Sequence, residues 1–597
     1  MHNEKKKLWI FTFEYAGIVK FGGLGEVPAN QAKHLVEDFD VTVLLPSHGQ
    51  LERLKENLEF KKLPITCIGL IEPSNFGIME PESSYCISFY KFKIDNVNII
   101  LISGENSFTA RFLDDKTVYN PNTIKGKICF FSLGIKCLIE YLIDKERRDL
   151  PNVIHLHDYH VVLPFISIKQ VLTKNALETA SLLTIHLLTW PRFDFKFYEV
   201  CGIDETPIKV RLSNGLKSLS LTEIFALDRN TEIIPTVEKV GALVCDLVTT
   251  VSESYLISDI IPNCGQNLIE FKSDFIWDGC DWDYNIILND VLQSLGNEIH
   301  DILNIHFGKS LRREDYKKYL LEYKIQHLSE SPLISSQKVL ETINNVCDGI
   351  TFFKNGEIKA FSETGPLLLT TGRISPQKGF ETIFRSIPEI IKAIPNAKFL
   401  FLVLPTDYSL NEIKLYADNV KKHPKNIRVI FGVAPEIFYL AHIAADVYAA
   451  PSRWEPFGIM ALEAMASKIP IIASKVGGLQ ETIVDMRSFT EIGTGVLIEK
   501  DNLTQFINAT ISLFKAAEVA LKVKGSETNT IYDSDILKLV NEIPDEIIKS
   551  CVLLNPNYYN VIRKNCLNRV KNHFTWKIVS KKLINLYSQI QSLHSIF

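Results

Sequence analysis

The chain has 597 residues, 46% of them hydrophobic and 23% charged, and a formal net charge of -5 at pH 7. That length exceeds one ordinary domain and suits two large ones, while the composition excludes extended disorder and the charge gives no whole-molecule attraction to nucleic acid or to an anionic membrane. The 11 cysteines show no CxxC pair or repeated spacing, which speaks against a disulfide framework or a zinc cluster and for reduced thiols.

The first segment, MHNEKKK, runs straight into LWIFTF, an apolar stretch too short for a signal peptide. No uncharged apolar run approaches the roughly 18 residues needed to span a bilayer. The expectation is a cytoplasmic, untargeted protein with no membrane or nucleic-acid partner.

In chain order, Leu8 to Phe13 reads as a buried parallel strand, followed by a glycine-rich loop from Glu14 to Gly25 and a helix from Glu26 to Asp38. In KFGGLGEVP (Lys20 to Pro28), Gly22 and Gly23 would let the backbone approach a ligand closely, with Lys20 as a point charge beside it. The spacing is not GxGxxG, and a tight strand-to-helix turn would use the same glycines. Val41 to Leu45 and Asn98 to Ser103 are further strands, with a peripheral β excursion between Gln50 and Phe92.

VIHLHDYH (Val153 to His160) is a strand whose end carries three histidines. Alternation puts His155 and His157 on one face, so a metal reading with His160 arises, but no separate ligand cluster would close the site and no metal is expected. SLLTIH (Ser181 to His186) ends in another histidine, on the ligand side of a doubly wound sheet. Glu238 to Asp246 reads as a helix and DLVTTVSESY (Asp246 to Tyr255) as the last strand of the first domain, with a boundary near residue 275.

Between 286 and 360 the run KSLRREDYKKYLLEYKI suggests a solvated helix face, and the remainder is not placed. LLLTTGRISPQKGF (Leu367 to Phe380) is a buried strand, a loop bearing Arg373 and Lys378, and a helix. Two cations at a strand's carboxyl end suit a diphosphate, Arg as a fork and Lys as a point charge, although a surface salt bridge would use them equally. Strands Ala397 to Leu404 and Ile427 to Val433 lead to PSRWEPFGIMALEAMASKIPIIASKVGGLQ (Pro451 to Gln480), a βαβ passage. There Glu455 precedes an almost wholly apolar helix and Glu463 lies within it, about two turns on, so both can face one cleft. A lone buried Glu463 could equally be held by Lys or Arg. The amides from Gly458 onward would attract an anion such as a phosphate. Residues 515 to 553 read as an exposed helical insertion, and Phe574 to Tyr587 as a final helix.

These motifs carry a resemblance. Glu455-x7-Glu463, the PSRWEPFG segment and GGLQET (Gly477 to Thr482) resemble the donor-binding signature of retaining two-domain glycosyltransferases. K-x-GGL-x-E at Lys20, the HLHD and TIH strand ends and GR-x-x-x-QKG at Gly372 resemble the glycogen and starch synthases. After His186 the chain departs from the bacterial Asn-Leu-Ala, reading Leu187-Leu188-Thr189-Trp190, and DGCDWDYN stands where the family has Asn-Gly-Ile-Asp.

The resemblance implies an α/β GT-B fold: two facing Rossmann-like domains with an interdomain cleft, residues 1–275 on the acceptor side and 276–576 binding the nucleotide sugar, with the helix 577–597 packing back on the first domain. It implies transfer of glucose from ADP-glucose or UDP-glucose to the non-reducing end of an α-1,4-glucan with retention, without metal or other cofactor. Lys20, Arg373 and Lys378, with Gly22, Gly23 and Gly458, would neutralise the diphosphate; Glu455 would orient the glucose, Glu463 would hold the ribose, His186 would sit near the reacting carbon, and Gly477 and Gly478 would shape the donor pocket. Sister activities making trehalose, sucrose or other glucosides, and a non-catalytic glucan-binding subunit, stay open.

Overall fold

The computed structural model describes residues 5–227, 234–328, 334, 336–346, 358–525 and 534–594. The chain divides into two compact units, Met1–Asp278 with Trp576–Phe597, and Gly279–Thr575. Each is a doubly wound α/β unit.

The first unit carries β1 (Lys6–Phe11), β2 (Phe39–Pro46), β3 (Lys61–Ile71), β4 (Ser83–Ile94), β5 (Val97–Gly104), β6 (Val153–His157), β7 (Ala180–Ile185), β8 (Ile208–Leu212), β9 (Gly215–Leu219), β10 (Leu247–Thr250) and β11 (Ser273–Phe275). Nine of these form one sheet in the order β11-β10-β7-β6-β1-β2-β5-β4-β3, while β8 and β9 make a separate hairpin. The pairs from β11 to β5 are parallel, and β4 and β3 add antiparallel at one edge, which is the β excursion between residues 50 and 92. Central strands read as unbroken apolar runs because helices cover both faces; Leu8, Ile10 and Phe11 are fully buried. The strand starting at Asp246 is not the last of this sheet. The three-residue β11 pairs parallel with it, Val248 opposite Ser273, and is too short and half-buried to show in hydropathy.

The second unit holds β12 (Leu367–Arg373), β13 (Lys398–Leu404), β14 (Ile427–Phe431), β15 (Val447–Ala450), β16 (Ile471–Ser474) and β17 (Gly495–Ile498). All are parallel, in the order β14-β13-β12-β15-β16-β17. Counted within the unit this is the 3-2-1-4-5-6 dinucleotide-fold order, in which ligands bind outside the carboxyl ends where the order reverses, here between β12 and β15.

Two helical expectations change. The helix Arg313–Glu322 is not a solvated face: Arg313 and Lys317 pair with buried Asp446 at 2.6 and 2.7 Å, and Lys324 reaches Glu436 at 3.1 Å. The partner lies more than a hundred residues away, so local charge patterning could not show it. Nor is 515 the start of an exposed insertion. The helix Leu503–Gly525 buries Phe506, Leu513, Phe514 and Val519, while Ser534–Asn541 and Glu546–Leu554 follow as short helices. Within 286–360, the structure gives helices Tyr284–Ile302, Arg313–Glu322 and Gln337–Val346; residues 329–333, 335 and 347–357, like 526–533 in the second region, lie outside the described residues. The final helix, Trp576–His594, belongs to the first unit, where the Tyr587 hydroxyl meets His155 Nδ1 at 2.7 Å; 595–597 lie outside the described residues.

Candidate functional site

In the second unit, the loops after β12 and β15 meet at the point of order reversal. Lys378 Nζ lies 2.6 Å from Glu455 Oε2, and the Ser452 hydroxyl donates to the same oxygen at 3.3 Å. The backbone locks the two loops together: Arg453 N donates to Gln377 O at 2.7 Å and Gln377 Nε2 to Trp454 O at 3.0 Å. Arg373 ends β12 with an exposed side chain. Glu463 lies in the second turn of the helix Ile459–Ala466, half-buried. Burial chiefly pushes the Tyr448 phenol of β15 up, and Glu463 and Glu455 both add to that push.

Glycine is demanded twice in this turn. Gly458 precedes the helix at φ +102°, with an added Cβ 2.7 Å from Leu479 Cδ2. Gly477 stands at φ +45°, and a Cβ there would fall 1.9 Å from Glu455 O. Gly478 N then donates to that same oxygen at 3.1 Å. The GG turn is therefore the backstop that fixes Glu455, a steric reason for these residues beside any ligand contact.

In the first unit the corresponding reversal lies between β1 and β6. The Glu14 carboxylate is buried and takes the amides of Phe21 at 2.6 Å and Gly22 at 3.0 Å on Oε2, and the Tyr119 hydroxyl at 2.6 Å on Oε1. This corrects the reading of Gly22: its amide points inward to Glu14, so the Gly22-Gly23 turn is not presented as a pair of open donors. Lys20 Nζ rests on Glu26 Oε1 at 2.5 Å, both side chains about half exposed. The K and E of the K-x-GGL-x-E motif thus pair with each other.

β6 stops at His157, not His160, because Asp158 adopts φ +63°. Such a conformation is strained for a non-glycine residue and needs support from its surroundings. The support is the hydrogen bond from His186 N to Asp158 Oδ1 at 2.7 Å, with Leu187 N at 3.4 Å. His157 Nδ1 and His186 Nε2 lie 2.9 Å apart with their rings stacked. His155 is turned away into the core, between Tyr587 and the Thr184 hydroxyl, each at 2.7 Å, so it lines no site. His160 packs on Phe13 at 5.0 Å between ring centroids. Burial pushes His155, His160 and His186 down to about 3, leaving neutral imidazoles. Burial raises Asp158 to about 7 against the two amides it accepts, and Glu238 and Glu14 add to the rise. Asp278 rises to about 8 by burial and by Asp158. Among the described residues no three His, Cys, Asp or Glu side chains gather as a metal site.

Two anchors went unread in the sequence. Glu238 Oε1 accepts from Thr189 N and Trp190 N, both at 3.0 Å, and Tyr255 Oη takes Leu188 N at 2.9 Å. With Asp158 these side chains hold the amides of residues 186 to 190 and support Trp190 at φ +63°. The signal for Glu238 was present: a buried carboxylate in the mostly apolar helix Val237–Val244, whose other charged residue is Lys239.

Residues 7–260 match the family described as starch synthase catalytic domain, and 352–525 match glycosyl transferases group 1. A glycogen synthase of Hydrogenobaculum sp. is 24% identical over 84% of this chain and 88% of its own length. One from Chlamydia pneumoniae is 25% identical over 79% and 85%. The catalytic domain of starch synthase IV from Arabidopsis thaliana, solved bound to ADP and acarbose, has a similar fold at TM-score 0.64 and 16% identity, covering 99% of this chain and 100% of that one. Family matches over both units and the two doubly wound sheets agree: the chain is a GT-B glycosyltransferase, with a starch synthase catalytic domain in its first unit and a group 1 glycosyl transferase domain in its second, and it is similar to glycogen synthases over most of its length.

Proposed function

We propose that the protein is a glycogen (starch) synthase that transfers glucose from ADP-glucose or UDP-glucose to the non-reducing end of an α-1,4-glucan, with retention and without a metal. The observation that carries this is the Lys378–Glu455 pair at 2.6 Å beside the glycine-buttressed turn of the β12/β15 reversal, with Arg373 at the end of β12 and Glu463 in the helix that follows Gly458.

Breaking the glycosidic bond of a nucleotide sugar develops negative charge on the leaving diphosphate, and preorganised cations in a dry site stabilise it most effectively. Arg373 and Lys378 supply that charge, with the helix start after Gly458 adding its partial positive end. In the structure the Lys378 ammonium is held by Glu455 at 2.6 Å, so the cation is already positioned before a diphosphate arrives. Glu455 then keeps one oxygen for the lysine and turns the other to glucose hydroxyls, while Glu463 takes the ribose.

In the first unit Lys20 contributes to the diphosphate and His186 to the donor sugar. His157 Nε2 is buried without a partner. A buried orphan acceptor costs less than a buried orphan N–H, so we assign the shared proton to His157 Nδ1, donating to His186 Nε2. The His186 ring then carries its proton on Nδ1, as a neutral donor for a sugar oxygen. The acceptor-side role belongs to the first unit and donor binding to the second, in a cytoplasmic enzyme.

One feature favours a second acceptor. The loop after His186 departs from bacterial synthases and exposes Leu187 and Trp190, which suits a sister transferase with another glucosyl acceptor. The deciding experiment is release of nucleoside diphosphate from ADP-glucose and, separately, UDP-glucose, with and without glycogen and with no metal added. Glycogen-dependent release that lengthens the glucan is the expected result. Release only with another acceptor moves the protein to a sister activity, and no release with either donor points to a glucan-binding subunit.

A further inference from the structure

At the amino ends of β7 and β10, on the opposite edge of the first unit's sheet from His186 and Asp158, lies a pocket of about 40 Å³. The centre of a single water needs roughly 10–15 Å³, so the space holds a few waters or one phosphate-sized group. Its wall is built from the helix Val162–Lys174 (Lys169), the β8/β9 hairpin (Lys209, Arg211, Leu216), Asp246 and His594 of the final helix.

The charges here do not cancel. Both carboxylates are spent: Glu178 binds Lys209 and His594 Nδ1, and Asp246 Oδ2 takes the Ser181 amide and hydroxyl and His594 Nε2. Among the described residues Lys169 donates to carbonyls, Lys209 O at 2.8 Å and Val244 O at 2.6 Å, and against burial its charge helps hold the Asp246 carboxyl below the usual carboxylate range. Arg211 has no carboxylate at ion-pair distance among the described residues, and its Nε is buried with no hydrogen-bond partner. Lys272 stands behind them, its ammonium on Leu243 O and Cys245 O. Burial chiefly lowers Lys272 to about 7, and Lys169 and Arg211 push the same way. A buried guanidinium nitrogen left unpaired is costly, and a guanidinium fork beside an ammonium is the arrangement that binds phosphate.

We propose that this pocket is a binding site for a small phosphate-class oxyanion, held by Arg211 and Lys169 and separate from the nucleotide-sugar site. The anion is inorganic phosphate or the phosphoryl group of a small sugar phosphate.

Calorimetry of the full chain with sodium phosphate, against sodium chloride at matched ionic strength, tests it. Saturable phosphate binding to the wild type is expected, with Arg211→Gln weakening it at least tenfold. Should Arg211→Gln lose the fold, Leu216→Glu serves: this rim residue is 46% exposed, and a carboxylate there repels the anion without touching the arginine. A hexose phosphate binding more tightly than phosphate identifies the sugar phosphate as the source, and equal affinity identifies phosphate itself. No binding beyond the chloride control, or undiminished binding in both variants, overturns the proposal. Neither nucleotide sugar nor glucan is used, so this result is independent of the transferase assay.

Discussion

The two order reversals use the same topology and opposite electrostatics. At β12/β15 the groups are charged and paired, Lys378 against Glu455 at 2.6 Å. At β1/β6 burial holds His186 neutral near 3 and lifts Asp158 to about 7. Under the proposed function the charged crevice is the one that meets the leaving diphosphate. The other keeps charge low around neutral hydrogen-bond donors. Charge loss in the second unit should therefore strike turnover, whereas pH should strike the first unit.

The largest expected effect breaks the charged side. Lys378→Ala should lower turnover by about 10²–10³-fold, the usual cost of removing charge stabilisation from a water-excluded site, and it leaves Glu455 without its partner. Nucleoside diphosphate release at saturating donor measures this; near-normal turnover would remove the diphosphate role. Lys378→Arg, which keeps the charge but alters its geometry, should recover part of the loss.

Next comes the scaffold of the same side. Gly477→Ala places a methyl 1.9 Å from Glu455 O at a left-handed φ, so the backbone must move. Destabilisation of about 2–4 kcal/mol is expected, in the range of strain at special backbone positions combined with overpacking. Urea unfolding measures it, and an unchanged midpoint would show that the GG turn does not buttress Glu455.

The neutral side yields a pH window. Asp158 and Asp278 stand near 7 and 8 in the folded chain against an ordinary 3.8, so the stability from their protonation is lost as pH rises through 7 and 8. His155, His160 and His186 stand near 3 against 6.5, and their contribution is lost as pH falls from 6.5 toward 3. Burial lowers His48 and His157 as well, so below 6.5 the histidines outweigh the two carboxylates. Stability of the first unit should climb as pH rises to 6.5, each net proton contributing up to about 1.4 kcal/mol per pH unit, then dip toward 7 and level off, because Lys272, lowered to about 7, offsets the remaining loss from Asp278 above that pH. Hydrogen exchange of β6 and β7 amides between about pH 5.5 and 8.5 locates the effect, and Asp278→Asn, which removes one of the opposing carboxylates, should steepen the climb below 6.5 and shrink the dip above it. A flat profile would show that these groups titrate normally.

How far this division was legible depended on sequence distance. Apolar runs marked the parallel strands, and motif residues fell at their carboxyl ends, so Arg373, Lys378, Glu455 and His186 could be named from local pattern. What escaped was set by remote partners. The cations of helix Arg313–Glu322 looked solvated because Asp446 lies far along the chain. Glu238 looked like a helix residue because its partners Thr189 and Trp190 are 49 and 48 positions away. Strands as short as β11 and β17 carry too few residues for a period to show. Gly22 was read for its freedom, but the amide it frees is taken by Glu14.

The smallest expected effect tests whether Lys20 belongs with the charged side despite its place in the neutral unit. Its bond to Glu26 at 2.5 Å is half exposed, and exposed pairs contribute about 0–1 kcal/mol. Lys20→Ala should leave the unfolding midpoint almost unchanged. If Lys20 meets the diphosphate, the donor KM should still rise about tenfold, the equivalent of one charge-assisted hydrogen bond, whereas Glu26→Gln, which releases the lysine without removing it, should leave donor KM near normal. Equal effects of the two substitutions would mean that the pair merely shapes the glycine turn, and the cations acting on the donor would then be those of the second unit.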